Sequence, residues 1–356
     1  MELEQAKKAV MEASKQLVAL GLVARTWGNV SCRVGEGSFL ITPSGKPYEH
    51  LQKDQLVLVD LEDLSYPKGV KPSSEKKLHR EVYALKKEIG CVIHTHQEMA
   101  SLAGLLGRDI PVSKQGSALL KETIPVAEYG LPGTRSLVKN ASHAIGANNA
   151  RTVLLANHGA LCFGLDAAET LEIARQLEIE CREYLAELVP LKGKEGEAGS
   201  RSMPVEITGL ESDKASIPEE AMRIASSLKG EELRTMLFHS SPAVLEASNK
   251  LTHLPSYLDD FAQIAGARIA VVDSDSDSVR HGMGKNCNAL LIRGIGSLCW
   301  AATRADADAV VMILEKNCKA ALLALADPAV KPITWLDAHL MRFVYQKKYS
   351  KLAGKA

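Results

Sequence analysis

The strongest constraint on the fold is that the chain repeats part of itself. Displaced by 137 positions, Val153 to Leu188 lies on Leu290 to Leu325 without a gap. Gly159 falls on Gly296, Leu161 on Leu298, Cys162 on Cys299, Glu178 on Glu315 and Cys181 on Cys318. The apolar stripe keeps its phase, with Leu177 and Leu185 meeting Leu314 and Leu322. Agreement in Gly, Cys and Glu within one frame exceeds what a Leu- and Ala-rich composition produces, and marks a repeated structural unit. Upstream, an offset of 145 lays Val92 to His96 on Leu237 to Ser241. Two related α/β units are therefore expected, the second truncated.

Within the first unit, apolar residues from Leu3 to Leu20 recur every three or four positions and predict a helix, with Gly21 as its stop. Val30 to Val34, Ser38 to Thr42 and Leu56 to Asp60 read as strands. Ser74 is the expected cap of a helix running to about Glu88, followed by a strand over Cys91 to His96. Helices are predicted over Glu98 to Leu106, Ser136 to Ala144 and Ala167 to Leu188, with a strand over Val153 to Ala156. From Lys192 to Ser200 the sequence turns polar and glycine-rich without periodicity. This gives a domain at 1–190, a linker at 191–216 and a second domain at 217–356.

Charge and cysteine content narrow the function. Lys+Arg and Asp+Glu each number 43, which argues against a broad nucleic-acid surface. The longest apolar runs fall short of the roughly 18 residues of a membrane span, so no membrane partner is expected. The charged start, Met1-Glu2-Leu3-Glu4, lacks the apolar region of a secretory signal. The seven cysteines include no CxxC pair and several sit among apolar neighbours, as reduced thiols of a cytoplasmic protein would.

The chemistry-bearing residues lie between Gly28 and Gly159. In a strand, His94 and His96 point to one face and can share a metal, and Asn157-His158-Gly159 offers a third imidazole in a turn. An HxH pair alone is more often structural. Ser73-Ser74-Glu75 opens a helix, whose free N–H groups suit an anion; a plain N-cap with an acidic first turn is the simpler reading. Trp27-Gly28-Asn29-Val30-Ser31 and Thr42-Pro43-Ser44-Gly45 are small polar loops of the kind that cradle phosphate, or ordinary turns.

Taken in order, Gly-Asn-Val-Ser, Thr-Pro-Ser-Gly, Pro-Ser-Ser-Glu, His-Thr-His and Asn-His-Gly resemble the class II aldolase/adducin family over about residues 1–190. The resemblance implies a three-layer α/β/α fold, followed here by a degenerate copy of it. It implies Zn2+, or another divalent metal, on His94, His96 and His158, with Glu75 as acid/base. Gly28, Asn29, Ser44, Gly45, Ser73 and Ser74 match the family's phosphate pocket. The implied activity is a lyase cleaving a phosphorylated ketose of the fuculose 1-phosphate type through a metal-stabilised enediolate. An epimerase or dehydratase on a similar sugar phosphate, and a non-catalytic adducin-like binding protein, are the alternatives. Family members form fourfold rings, which implies a homo-oligomer: a tetramer, or two tandem chains making a pseudo-tetramer. One departure stands out. A family tyrosine from a neighbouring subunit follows an Ile-Pro pair, but Ile110-Pro111-Val112-Ser113-Lys114-Gln115-Gly116 has none. His79, one turn beyond Glu75, reads either as a residue supporting the site or as an exposed helical histidine.

In the second copy, the offset of 145 pairs His94 with His239, His96 with Ser241 and Glu75 with Glu220, and the offset of 137 pairs His158 with Ile295. One imidazole does not hold zinc, so this copy is expected to bind no catalytic metal.

Overall fold

A computed structural model of the chain describes residues 1–23, 27–147, 149–188, 205–206, 235–284 and 286–348. It divides into two compact units, Met1–Pro190 and Leu191–Ala356. Apart from 205–206, the expected linker lies outside the described residues, as does Glu220.

The first unit opens with helix α1 (Leu3–Ala19), then strands β1 (Asn29–Val34), β2 (Ser38–Ile41) and β3 (Val57–Asp60). Next come α2 (Lys76–Leu85), β4 (Cys91–Thr95), α3 (Glu98–Gly104), β5 (Ile110–Pro111), α4 (Ser117–Leu120), β6 (Thr123–Ile124) and β7 (Val126–Ala127). The unit closes with α5 (Arg135–Ala147), β8 (Thr152–Leu155), β9 (Gly159–Gly164) and α6 (Ala167–Leu188). Seven strands form one sheet in the order β3-β2-β1-β4-β9-β8-β7. Only the β7–β8 pair is parallel.

Alternation along the strands assigns side chains to two faces. Phe39, Val59, Val92, Val153, Leu161 and Phe163 pack with Leu78 and Val82 of α2 and with Leu137 and Ala141 of α5. Helices α1, α3 and α6 lie against the other face. This is the three-layer α/β/α fold. His94 has the parity of Val92, so it faces the α2 side, where β4 ends.

Helix α2 departs from expectation at both ends. Its N-cap is Glu75 rather than Ser74, and Ser73 Oγ accepts the Glu75 backbone N–H at 3.2 Å. It stops at Leu85, short of Glu88. Arg33 explains the stop: its guanidinium donates to the carbonyls of Tyr83 at 2.8 Å and Ile89 at 3.0 Å. A cation that satisfies the last carbonyls ends the helix there.

The second unit contains β10 (Val205–Glu206), β11 (Thr235–His239), α7 (Pro242–Lys250), β12 (His253–Pro255), α8 (Asp259–Ile264) and β13 (Arg268–Val272). Then follow α9 (Ser276–Gly282), β14 (Ala289–Ile292), β15 (Gly296–Ala301), α10 (Arg304–Ala326) and α11 (Trp335–Lys348). Its sheet order is β10-β11-β15-β14-β13-β12. The run β11-β15-β14-β13 repeats β4-β9-β8-β7, including the single parallel pair at β13–β14. Strands β14 and β15 and the start of α10 fall 137 residues after β8, β9 and α6. Core residues follow the same offset: Leu290, Ile292, Leu298 and Trp300 replace Val153, Leu155, Leu161 and Phe163.

Sheet register corrects the upstream alignment by one residue. His94 pairs across with Leu161, and Phe238 pairs with Leu298, the counterpart of Leu161. Phe238, not His239, therefore stands where His94 stands. A one-residue slip sends a strand side chain to the opposite face. His239 accordingly occupies the place of Thr95 and bonds Glu315 on α10 at 3.1 Å.

Candidate functional site

The antiparallel sheet brings the start of β1, the ends of β2 and β4 and the start of β9 to one edge of the first unit. Two features let the backbone close in there. Gly28 sits at φ +88°, where a Cβ would come within 2.5 Å of the His94 carbonyl oxygen. In the Asn157-His158-Gly159 turn, Asn157 takes the left-handed conformation at φ 63°. Gly159 serves a different need: a side chain there would strike the Thr95 carbonyl. The turn delivers His158 opposite the end of β4.

His94, His96 and His158 come together, their candidate ligand atoms all within 4.8 Å of one another. His94 Nε2 lies 3.0 Å from His96 Nε2 and 3.1 Å from His158 Nε2. Glu75 joins from the start of α2, with Oε1 2.9 Å from His158 Nε2 and Oε2 3.3 Å from His94 Nε2. His94 Nδ1 donates to the Ala160 carbonyl at 2.8 Å, which leaves a lone pair on Nε2 of the neutral ring. Burial pushes the His94 ring down to about 3; His96 and His158 act in the same direction and Glu75 opposes them. Burial raises the Glu75 carboxyl, but the imidazoles and the His158 hydrogen bond outweigh it and hold the group well below the usual range. Lone pairs and a carboxylate crowded this closely repel unless a cation or shared proton lies among them. The donor set of three imidazoles and a carboxylate fits a divalent metal of the zinc type.

Behind Glu75 runs a buried polar chain. Asn29 Nδ2 donates to Glu75 Oε2 at 2.7 Å. Its Oδ1 accepts from His79 Nε2. His79 Nδ1 accepts from Ser31 Oγ at 2.6 Å, and Ser31 Oγ contacts Tyr83 Oη at 2.8 Å. Burial pushes His79 down to about 4, so a single ring hydrogen fixes the direction of this chain. The Asn29 amide is thereby locked with its NH2 toward Glu75. His79 is fully buried rather than an exposed helical histidine. Ser31 and Tyr83 are members of the site that motif reading overlooks. Their signal is spacing: Glu75, His79 and Tyr83 recur every four residues on α2, while Asn29 and Ser31 alternate on β1.

The stretches expected to bind phosphate meet at the same edge. Ser73 N donates to the Thr42 carbonyl at 3.0 Å and Ser44 N to the Lys71 carbonyl at 3.0 Å. Thr42 Oγ1 accepts from Val30 N at 3.2 Å. Ser44, Gly45 and Ser74 are exposed, Gly28 is half-buried and Ser73 is buried. Asn29 differs from the rest: it is buried, and its amide is committed to Glu75 and His79, which leaves one Nδ2 hydrogen for an anion.

The segment without the tyrosine is tied to α6. Ser113 N and Oγ each donate to the Glu180 carboxylate at 2.8 Å. Lys114 is exposed. In the second unit, Phe238, Ser240 and Ile295 occupy the positions of His94, His96 and His158.

A family model described as Class II Aldolase and Adducin N-terminal domain matches residues 8–185. The L-fuculose phosphate aldolase of Escherichia coli K12 is 31% identical over 189 residues, 53% of this chain and 86% of that protein. A 5-methylthioribulose-1-phosphate/5-deoxyribulose-1-phosphate aldolase of Rhodospirillum rubrum is 35% identical over 179 residues, 50% of this chain and 79% of that protein. A solved L-fuculose 1-phosphate aldolase matches 62% of this chain and 94% of its own at 28% identity, with a TM-score of 0.49.

Proposed function

The chain belongs to the class II aldolase and adducin family, and we propose that its first unit is a divalent-metal-dependent lyase, with zinc on His94, His96 and His158, that cleaves a ketose 1-phosphate of the fuculose type. The observation that carries this reading is the packing of three imidazole Nε2 atoms against one ionised carboxylate. When bound, the metal supplies Lewis-acid stabilisation of the negative charge that develops on the sugar oxygens. The chain's own groups do the rest. Glu75, kept ionised, accepts the proton of the substrate hydroxyl whose carbonyl forms as the carbon–carbon bond breaks, and later returns a proton to the carbon fragment. Asn29, held by His79, fixes the carboxylate oxygen that faces away from His158. Ser44, Gly45, Ser73 and Ser74, with Gly28 and Asn29, offer hydroxyl, amide and backbone donors to the phosphate. They do so without a basic surface, in keeping with the balanced charge of the chain.

The second unit is, in this reading, a duplicated copy that kept its sheet order and core and lost its ligands. Its role is structural, within a homo-oligomer of two tandem chains or four. The cysteines support a reducing, cytoplasmic setting: all seven are free thiols and six are buried.

The test joins metal analysis to product analysis. About one divalent ion per chain is expected, with release of dihydroxyacetone phosphate and an aldehyde from a ketose 1-phosphate. Glu75→Gln is expected to keep the metal and lose roughly 10²- to 10⁴-fold in kcat. Purified chain without bound metal after growth in zinc, or Glu75→Gln with full turnover, overturns the assignment. Epimerised sugar phosphate in place of two fragments would move the activity to the alternative class.

A further inference from the structure

The second unit holds a cavity of about 850 Å³, within the size range of small-ligand sites. Four elements wall it, β12 contributing His253. Helix α11 presents Trp335, His339, Arg342, Phe343 and Gln346, one face at helical spacing. Strand β13 presents the alternating Arg268, Ala270 and Val272, and the end of α9 adds His281.

The chemistry of this wall is one-sided. The described lining residues include two Arg and three His but no Asp or Glu. Arg342 is 6% exposed. Its guanidinium donates to four neutral acceptors: the carbonyls of Gln263, Ile264 and Asn286, and Asn288 Oδ1. The first two carbonyls close the end of α8, which accounts for its position, and among the described residues no carboxylate pairs with it. Arg268 forms no ion pair with a described residue. A concentrated positive field in a chain with no net charge calls for an anion. Helix α11 also presents an open aromatic surface to the cavity. Trp335 is 69% exposed and Phe343 52% exposed, and the indole lies tilted by 34° against His339 with centroids 4.1 Å apart. The whole chain has three Trp and five Phe, so two on one helical face form a concentrated flat surface.

We propose that this cavity binds a small phosphomonoester that carries a flat ring, a nucleoside monophosphate being the matching class. The phosphate faces Arg268, His253 and His281, and the ring lies against Trp335 and Phe343. Two guanidiniums in a lining whose described residues include no carboxylate suit a dianion better than a single carboxylate. The proposal is independent of the activity assigned to the first unit.

Cys287 provides a local reporter. It lines the cavity and is half-buried, whereas the other six cysteines are buried. The experiment measures N-ethylmaleimide labelling of the native full chain, mapped by mass, with 5′-AMP, adenosine or ribose 5-phosphate present. AMP is expected to slow Cys287 labelling about fivefold, saturating by about 1 mM. Adenosine, without the phosphate, and ribose 5-phosphate, without the base, should each need about tenfold higher concentration. Arg268→Gln should weaken AMP protection about tenfold, measured against the unprotected rate of the same variant. Trp335→Ala should weaken protection by AMP more than protection by ribose 5-phosphate. AMP bound at the first unit leaves the Cys287 rate unaltered, so that outcome overturns the proposal. So does equal protection by AMP and adenosine, or full AMP protection in Arg268→Gln. Labelling that ignores AMP but falls as protein concentration rises also overturns it, and assigns the aromatic face to a second copy of the chain.

Discussion

The two units carry one sheet order and opposite polarity at one position. In the first, β4 points His94 at the α2 side and the imidazole joins a group of three that could hold a metal. In the second, the same register position holds Phe238, packed with Leu290, Leu298 and Trp300. The scaffold survives the exchange because a strand position facing a helix layer accepts either an apolar ring or a polar ring whose partners are all present. What separates a catalytic unit from a structural one is thus a few side chains on a shared frame, and the comparison can be broken by moving those side chains.

The largest effect is expected from placing the second unit's residue in the first. His94→Phe should fold, since Phe238 shows that the frame accepts the ring, yet its metal content should fall to near zero. Turnover should drop by more than about 10³-fold, since two imidazoles and a carboxylate no longer complete the ligand set. Metal analysis beside kcat measurement checks this. Wild-type metal content in that variant would show that the three imidazoles are not the ligand set.

A smaller effect divides the units by tightness of packing. Gly159 and Gly296 each start the strand after the turn and each face a carbonyl, of Thr95 and of His239 respectively. A Cβ at Gly296 would stand 2.7 Å from its carbonyl, and at Gly159 closer still. Both alanine variants should lose stability by about 2–4 kcal/mol, Gly159 through the closer carbonyl and Gly296 through its carbonyl and Phe238 contacts together with its φ of +154°. Only Gly159→Ala should also lower metal affinity, because it displaces His158. Denaturant titration with and without a chelator separates the two.

Much of this was legible in the chain before its folding was known, for reasons that differ by residue. The frame of 137 was readable because Gly159 is constrained by close backbone approach, Cys162 and Cys181 by complete burial and half-buried Glu178 by the Met99 and Ala100 N–H groups, and both units retain these residue types. The offset of 145 misled by one residue because His239 offers the same imidazole as His94. Sequence identity cannot show which face of a strand a residue occupies, and cross-strand pairing can. His94, His96 and His158 were readable as a set because their types and order are specific. The buried chain through Asn29, His79, Ser31 and Tyr83 was not, since each member is common and only the packing of α2 on β1 joins them. The stop of α2 was hidden likewise: Arg33 lies fifty or more residues before the carbonyls it takes.

The finest contrast concerns the matched glutamates Glu178 and Glu315, which stand at one helical position and should respond oppositely to acid. Burial pushes the Glu178 carboxyl up, against hydrogen bonds from the Met99 and Ala100 N–H groups. Burial raises Glu315 too, but the His239 hydrogen bond and the Lys319 charge outweigh it and bring the group to about 2. A carboxyl lowered on folding adds stability that is complete above its unfolded value near 4.5 and is lost as pH falls toward 2. A carboxyl raised on folding behaves in reverse: its contribution is greatest below the unfolded value and is lost as pH rises through the folded one. Relative to wild type, Glu315→Gln should therefore be most destabilised at neutral pH, with the gap closing as acid is added. Glu178→Gln should gain on wild type as pH rises from about 4 to 7. Urea midpoints measured below about pH 5 for Glu315→Gln, and from about pH 4 to 7 for Glu178→Gln, give two slopes of opposite sign. If the slopes share a sign, the two helices do not hold their glutamates in the different surroundings described here, and the second unit has kept more of the first unit's polar design than its core suggests.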